Sequence, residues 1–193
     1  MRIVGGAFRG TRLAAPGAEG GGAAHLRPTS DRVREAVFNL LEHGGYPPIA
    51  GARVLDLFAG TGALGLEALS RGAVRTVFVD DHAPSRALIR ENVEKLRLTG
   101  ATKIWRRDAT RLGPCREAPY GLIFADPPYR SELGPAALTA ALAGGWIAPG
   151  AVIVLESAAA EPPPALDGLL QADCRRYGES QIVILQDTRE APA

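Results

Sequence analysis

The sequence is poor in cysteine, histidine and lysine and has no long apolar run, and each scarcity removes a class of protein. Cys115 and Cys174 are isolated thiols, and His25, His43 and His82 stand at no ligand spacing from them. Neither a disulfide framework nor a metal site is expected. No apolar stretch approaches the roughly 20 residues of a membrane-crossing helix. The opening Met1-Arg2-Ile3-Val4-Gly5-Gly6 is too polar and glycine-rich for a secretory signal. A cytoplasmic location is therefore expected. No internal repeat is present. Of the 22 basic residues only Lys95 and Lys103 are lysine, so nearly all positive charge sits on guanidinium groups. What remains, 193 residues with 46% hydrophobic and 22% charged content, suits one compact domain.

A net charge of +1 hides an uneven distribution. Residues 1–34 carry Arg2, Arg9, Arg12, Arg27, Arg32 and Arg34 against Glu19 and Asp31, and the rest of the chain is net negative. Arginines spread along the glycine-punctuated segment Arg2 to Leu13 suit contacts with nucleic-acid phosphates, with Phe8 available to stack; a solvated hairpin is the plainer alternative. Small residues and glycines over 14–24 predict a mobile loop. Ser30 or Asp31 then caps a helix whose apolar positions are Val33, Val37, Leu40 and Leu41 and which Gly44-Gly45 ends.

The most informative stretch runs from Val54 to Ala68. Val54, Leu55, Leu57 and Phe58 read as a strand buried on both faces, and Gly60, Gly62 and Gly65 follow with the spacing G-x-G-x-x-G before a helix. Such a turn brings backbone close to a ligand and is a nucleotide-cofactor loop. Asp56 is expected to select the cofactor. A carboxylate at the strand mouth repels a pyrophosphate and attracts the ammonium and sulfonium of S-adenosylmethionine. Phe58, Gly60 and Gly62 line that loop. The next strand ends at Asp80, placed to accept ribose hydroxyls from either kind of adenosyl ligand.

Downstream, Leu122 to Ala125 runs as a strand into Asp126-Pro127-Pro128-Tyr129. An exocyclic amine is a weak nucleophile because its lone pair is delocalised into the ring. Asp126 can accept one amine hydrogen, and a carbonyl held stiffly by Pro127 and Pro128 can accept the other. Tyr129 can stack on the base, worth roughly 1–3 kcal/mol. A rigid turn is the plainer alternative. With the glycine loop upstream, this segment resembles the amino-methyltransferases that modify exocyclic amines of nucleobases.

The resemblance narrows with Met1 to Gly6, Arg9-Gly10, Arg27-Pro28-Thr29, residues 31–39, residues 56–68, Ser70-Arg71-Gly72-Ala73 and residues 126–129. Together these are similar to the RsmD family, bacterial small-subunit ribosomal RNA guanine-N2 methyltransferases. The resemblance implies guanine N2 in 16S ribosomal RNA as the acceptor, during assembly of the small subunit. It also implies that Arg27 and Thr29 lie near cofactor and nucleotide, that Asp108 with Ala109 meets the adenine, and that Arg2, Arg9, Arg12 and Arg32 grip RNA. Asp108 can equally cap the short helix that follows it. Asp80-Asp81-His82 departs from the family pattern and leaves the part of His82 open.

The remaining chain alternates strands and helices. A helix is expected over residues 84–98, a strand over 102–106, a helix over 133–142, a strand over 152–155 ending in a solvated Glu156, and a final hairpin turned through Gly178. Trp105 and Trp146 read as core. Lys103, Arg106, Arg107, Arg111 and Arg116 form a second basic cluster, either an RNA surface or simply solvated. The predicted architecture is a doubly wound, mostly parallel α/β sheet of the Rossmann-like class I methyltransferase type. It carries an N-terminal basic β-hairpin and a C-terminal antiparallel hairpin, with the ligand crevice at the carboxyl ends of the first and fourth strands. Asp56 and Asp126 should face one another there. Residues 1–28 are expected to serve RNA contact and residues 29–193 methyl transfer, in a monomer. The alternatives are an N6-adenine or N4-cytosine methyltransferase, an inactive RNA-binding or assembly protein and, more distantly, an NAD-dependent dehydrogenase.

Overall fold

The computed structural model describes residues 1–15, 30–128 and 132–189. Among these residues seven strands form one sheet: β1 (Arg53–Leu57), β2 (Arg75–Val79), β3 (Thr102–Trp105), β4 (Tyr120–Ala125), β5 (Ile147–Ala158), β6 (Leu169–Tyr177) and β7 (Ser180–Asp187). Four α-helices of the described residues accompany them: α1 (Asp31–His43), α2 (Ala63–Ser70), α3 (Ala83–Lys95) and α4 (Leu133–Ala143). The spatial order is β3-β2-β1-β4-β5-β7-β6. Pairing is parallel through β5 and antiparallel in the last two strands. Chain order reverses between β1 and β4, which opens the expected crevice at their carboxyl ends.

Alternation along the strands divides the interior into two cores. Val54, Phe78, Leu122 and Phe124 face α1, α2 and α3. Leu55, Leu57, Val77, Ile123 and Ala125 face α4 and Trp146 on the other side. Strands covered on both faces must be apolar at nearly every position, which is why β1 and β4 read as continuous apolar runs. Ser30 caps α1 by accepting the Val33 N–H at 3.2 Å.

The basic hairpin is present and firmly docked. Arg2 and Arg12 form an antiparallel bridge, and Ile3 and Leu13 are buried in the same core as α1, α2 and α3. Phe8 packs partly buried against that core rather than standing free to stack. The C-terminal hairpin turns at Gly178 with φ 64°. Two expectations are corrected. Strand β5 is 12 residues long, and its pairing with β7 carries Glu156 into the sheet opposite Ile182, where only 8% of the residue is exposed. Trp146 is fully buried as expected, whereas Trp105 is half-buried and meets it edge-on with ring centroids 5.0 Å apart. Most of the expected 14–24 loop lies outside the described residues.

Candidate active site

The glycine loop leaves β1 through a left-handed residue. Phe58 has φ 58°, followed by Gly60 at 56° and Gly62 at 77°. For phenylalanine that conformation costs on the order of 1–3 kcal/mol, and such strain gathers where backbone must be aimed. Neighbouring bonds hold it: Asp126 donates its N–H to the Leu57 carbonyl at 3.5 Å, and Ala59 donates to the Val79 carbonyl at 3.2 Å. Helix α2 then starts against the sheet. A β-carbon at Gly65 would lie 2.5 Å from the Phe78 ring and 2.6 Å from the Thr76 methyl, so glycine is required by close approach.

Asp56 does not stand at the mouth of the crevice. It is one residue short of the strand end and 1% exposed, and its Oδ2 accepts the Gly65 N–H at 3.0 Å. Burial pushes its carboxyl up to about 8, against the smaller opposing effect of that hydrogen bond. A group that is largely neutral at pH 7 offers no charge to an ammonium, so the electrostatic selection assigned to Asp56 is overturned. Its register partner on β4 is Phe124, and Asp126 follows one residue after that strand ends, half-buried where Asp56 is buried. Asp56 instead secures the start of α2 beneath the loop.

Asp80, at the end of β2, holds the loop from the other side. Its Oδ2 accepts the Gly60 N–H and its Oδ1 the His82 N–H, each at 2.8 Å. Burial raises its carboxyl above the usual range, and the two N–H bonds oppose that shift. Each oxygen keeps a further lone pair for a hydroxyl donor. His82 caps α3, with its Nδ1 3.2 Å from the Ser85 hydroxyl. Asp108 is exposed and caps the short 3-10 turn Ala109–Arg111. Its Oδ1 accepts from the N–H and hydroxyl of Thr110 at 2.8 and 2.7 Å, bonds that hold its carboxyl below the ordinary range. Ala109 is buried beside it.

The sheet order therefore sets the Asp108 turn, Asp80, the 58–62 loop and Asp126-Pro127 side by side along the carboxyl ends of β3, β2, β1 and β4. Asp126 is half-buried and Pro127 buried, whereas Pro128 is exposed. Arg27, Thr29 and Tyr129 lie outside the described residues. Arg2, Arg9, Arg12 and Arg32 are exposed, and Arg2 pairs with Asp31 at 3.5 Å. An apolar cavity of about 290 Å³ lies at the opposite edge of the sheet, lined by Leu41, residues 47–52, Gly121, Leu122 and Val152. It is remote from these groups and holds no side chain suited to the chemistry. Among the described residues no cluster of histidine, cysteine and acidic side chains could hold a metal. Nor, among the described residues, is any helix long and apolar enough to cross a membrane.

Sequence reasoning missed the polar groups that seat the hairpin. Glu67 is fully buried. It accepts the N–H groups of Val4 and Gly5 at 2.8 Å each and the Arg71 Nε at 2.9 Å, with the Arg34 Nε 3.8 Å away. Arg34, also fully buried, donates to the Arg2 carbonyl and to Asp31. Asn92 joins residue 14 to the glycine loop, donating to the carbonyls of Ala14 and Thr61 and accepting the Ala14 N–H. The available signal was an acid inside the otherwise apolar run Leu64 to Leu69, which reads as helix surface when taken alone.

Comparison with known proteins agrees with this geometry. A family profile described as "Conserved hypothetical protein 95" matches residues 1–186. The chain belongs to this family. A relative named ribosomal RNA small subunit methyltransferase D, from Escherichia coli strain K12, is 40% identical over 158 residues, covering 81% of this chain and 74% of its own. A Bacillus subtilis relative named putative rRNA methyltransferase YlbH is 38% identical, over 72% of each chain. A solved structure of the Escherichia coli putative methyltransferase yhhF superposes with a TM-score of 0.81 at 32% identity, covering 98% of this chain and 99% of the other. A Salinibacter ruber RNA methyltransferase, solved in complex with S-adenosyl-L-homocysteine, shares the fold with a TM-score of 0.63 at 13% identity, over 86% and 97% of the two chains. Family membership thus accords with the docked hairpin, for the profile spans it together with the sheet.

Proposed function

We propose that this chain, a methyltransferase by family, transfers a methyl group from S-adenosylmethionine to the N2 amine of a guanine in small-subunit ribosomal RNA. The observation that carries the reading is the junction of β1 and β4. There the N–H of Asp126 donates to Leu57, so the amine-binding segment abuts the cofactor loop. Its nearest neighbours along the sheet fit the cofactor. The 58–62 backbone is bare of side chains at Gly60 and Gly62, Asp80 retains acceptor capacity for ribose hydroxyls, and Asp108 has a carboxylate exposed for the adenine amine. Arg27 and Thr29 are assigned to the cofactor by resemblance.

Bound there, S-adenosylmethionine supplies an electrophilic methyl on a positively charged sulfur. The protein's work is to hold the amine in line with it. Asp126 accepts one amine hydrogen and a carbonyl of the proline segment the other, which favours a pyramidal nitrogen with its lone pair directed at the methyl. Tyr129 stacks the base, which must leave its own stack to enter. Holding the two atoms in line can supply about 7–11 kcal/mol of the barrier. As the new N–C bond forms, the sulfur keeps the electron pair of its bond to the methyl and leaves as a neutral thioether, and the nitrogen then gives one proton to solvent. Arg2, Arg9, Arg12 and Arg32 bind phosphates. The division at residue 28 is one of function, because residues 3 and 13 belong to the common core. The chain acts as a monomer in the cytoplasm.

The test is transfer of labelled methyl to unmodified small-subunit RNA, followed by nucleoside analysis. Label in N2-methylguanosine supports the reading. Label in methyladenine or methylcytosine would overturn the acceptor, and binding of cofactor without transfer to any acceptor would point to a binding-only protein.

A further inference from the structure

The hairpin lies against α2 and α3, on one face of the sheet. On the other face, the connection from β3 to β4 has only the three-residue turn Ala109–Arg111 where a parallel crossover usually places a helix. The cover is thin, and cations fill the margin. Arg53 and Arg75 are register partners on β1 and β2, and Lys103 pairs with Val77 two positions further along. Alternation puts all three on the side of Leu55 and Val77, and their side chains remain 28%, 30% and 40% exposed. Arg53 lies over the Tyr120 ring of that same core at 4.9 Å.

The row continues toward the crevice. Lys103 and Arg107 both sit over the half-buried Trp105 ring, at 4.4 and 4.9 Å. Arg111 and Arg116 are exposed, and their side chains have no ion pair or hydrogen bond among the described residues. At about 3.3 Å per strand residue, Arg75 to the level of Arg107 spans roughly 20 Å. Within the row stand Asp108, engaged with Thr110, and Glu117. Glu117 is contacted by Arg53 at 3.5 Å, Arg75 at 3.3 Å and Lys103 at 2.7 Å. Foremost the Lys103 hydrogen bond, and then the Arg75 and Lys103 charges, hold its carboxyl down at about 2, the mark of a positive local field.

We propose that Arg53, Arg75, Lys103, Arg107, Arg111 and Arg116 form a second contact surface for RNA phosphates, on the sheet face opposite the hairpin. The inference rests on the reading of the chain as an RNA methyltransferase. An extended row of guanidinium and ammonium groups, thinly covered and led to the crevice, matches a polyanion in shape and charge, whereas a small anion would need one enclosed pocket. With the hairpin on one face and this row on the other, an RNA that touches both must cross the carboxyl ends of the strands, where the candidate site lies.

The experiment measures binding of small-subunit ribosomal RNA against salt for the wild type, for Arg107→Gln/Arg111→Gln/Arg116→Gln, and for Arg90→Gln/Arg97→Gln/Arg176→Gln as exposed arginines elsewhere. With each phosphate contact contributing about 0.7–0.9 to the log–log slope, the first triple variant should lower the slope by about 2–3. Wild-type affinity should then fall some twenty- to fortyfold more steeply between about 50 and about 200 mM salt. Glu117→Gln, which removes the acid from the row, should bind RNA more tightly than wild type. An unchanged slope, an equal loss in the control triple, or weaker binding by a folded Glu117→Gln protein would overturn the proposal. Methyl transfer by the wild type is measured alongside: its absence counts against the RNA-methyltransferase reading itself, and its presence with an unchanged slope counts only against this surface.

Discussion

Helix α2 is served by two buried acids, and their surroundings differ. Asp56 lies beneath its first turn with the Gly65 N–H as a hydrogen-bond partner, and burial drives its carboxyl upward. Glu67 lies on the hairpin side, met by two N–H groups and two arginines. The first is a polar peg whose charge is suppressed by its site. The second is a latch between the hairpin and the cofactor-loop helix, and every partner it holds depends on its carboxylate shape. Burial alone therefore does not say what an acid does; its donors do.

Breaking the latch should have the largest effect. Glu67→Ala leaves Arg34 buried beside an uncompensated space and should cost about 3–5 kcal/mol in urea unfolding. A loss under about 1 kcal/mol would show that the hairpin is held mainly by Ile3 and Leu13. Gly65→Ala tests the close approach above Asp56. The clash with Phe78 and Thr76 should cost about 1–3 kcal/mol and weaken S-adenosylmethionine binding, and a neutral result would mean that α2 can lift without consequence.

Asp56→Asn separates the peg from the latch by pH. Its folded carboxyl titrates higher than an unfolded one, so its contribution is complete below about pH 4 and is lost as pH rises toward about 8. The wild type should therefore lose stability relative to Asp56→Asn across that window, on the order of 1 kcal/mol per pH unit where the effect is steepest. Parallel stability curves would contradict the buried, largely neutral carboxyl. Ser30→Ala, which removes the cap of α1 without touching either acid, should cost about 1 kcal/mol.

Much of this arrangement was legible in the sequence. Apolar runs followed by glycine, aspartate or Asp-Pro-Pro mark strands ending at ligands, so β1, β2 and β4, their order of use and the reversal between β1 and β4 could be read from local pattern. Residues 126–127 and 58–62 meet because parallel neighbours end at one edge. What could not be read depends on depth. Asp56 and Leu57 are consecutive, yet one points under α2 and the other into the opposite core, and only the position of the strand end distinguishes a carboxylate at a mouth from one beneath a helix. Nothing in the local sequence marks Arg34 and Glu67 as buried, because partners that satisfy them come from residues 2–5, more than 30 positions away from Arg34 in one case. Glu156 was misjudged for the same reason: its strand continues, and β7 covers it.

The account stands most directly on Asp126. The measurement is turnover and S-adenosylmethionine affinity of Asp126→Ala with small-subunit ribosomal RNA as acceptor. The account predicts a fall in turnover of about 100-fold or more with cofactor affinity within about twofold of wild type, since Asp126 orients the amine and not the methyl donor. Turnover close to wild type, or a loss of cofactor binding as large as the loss of turnover, would contradict it.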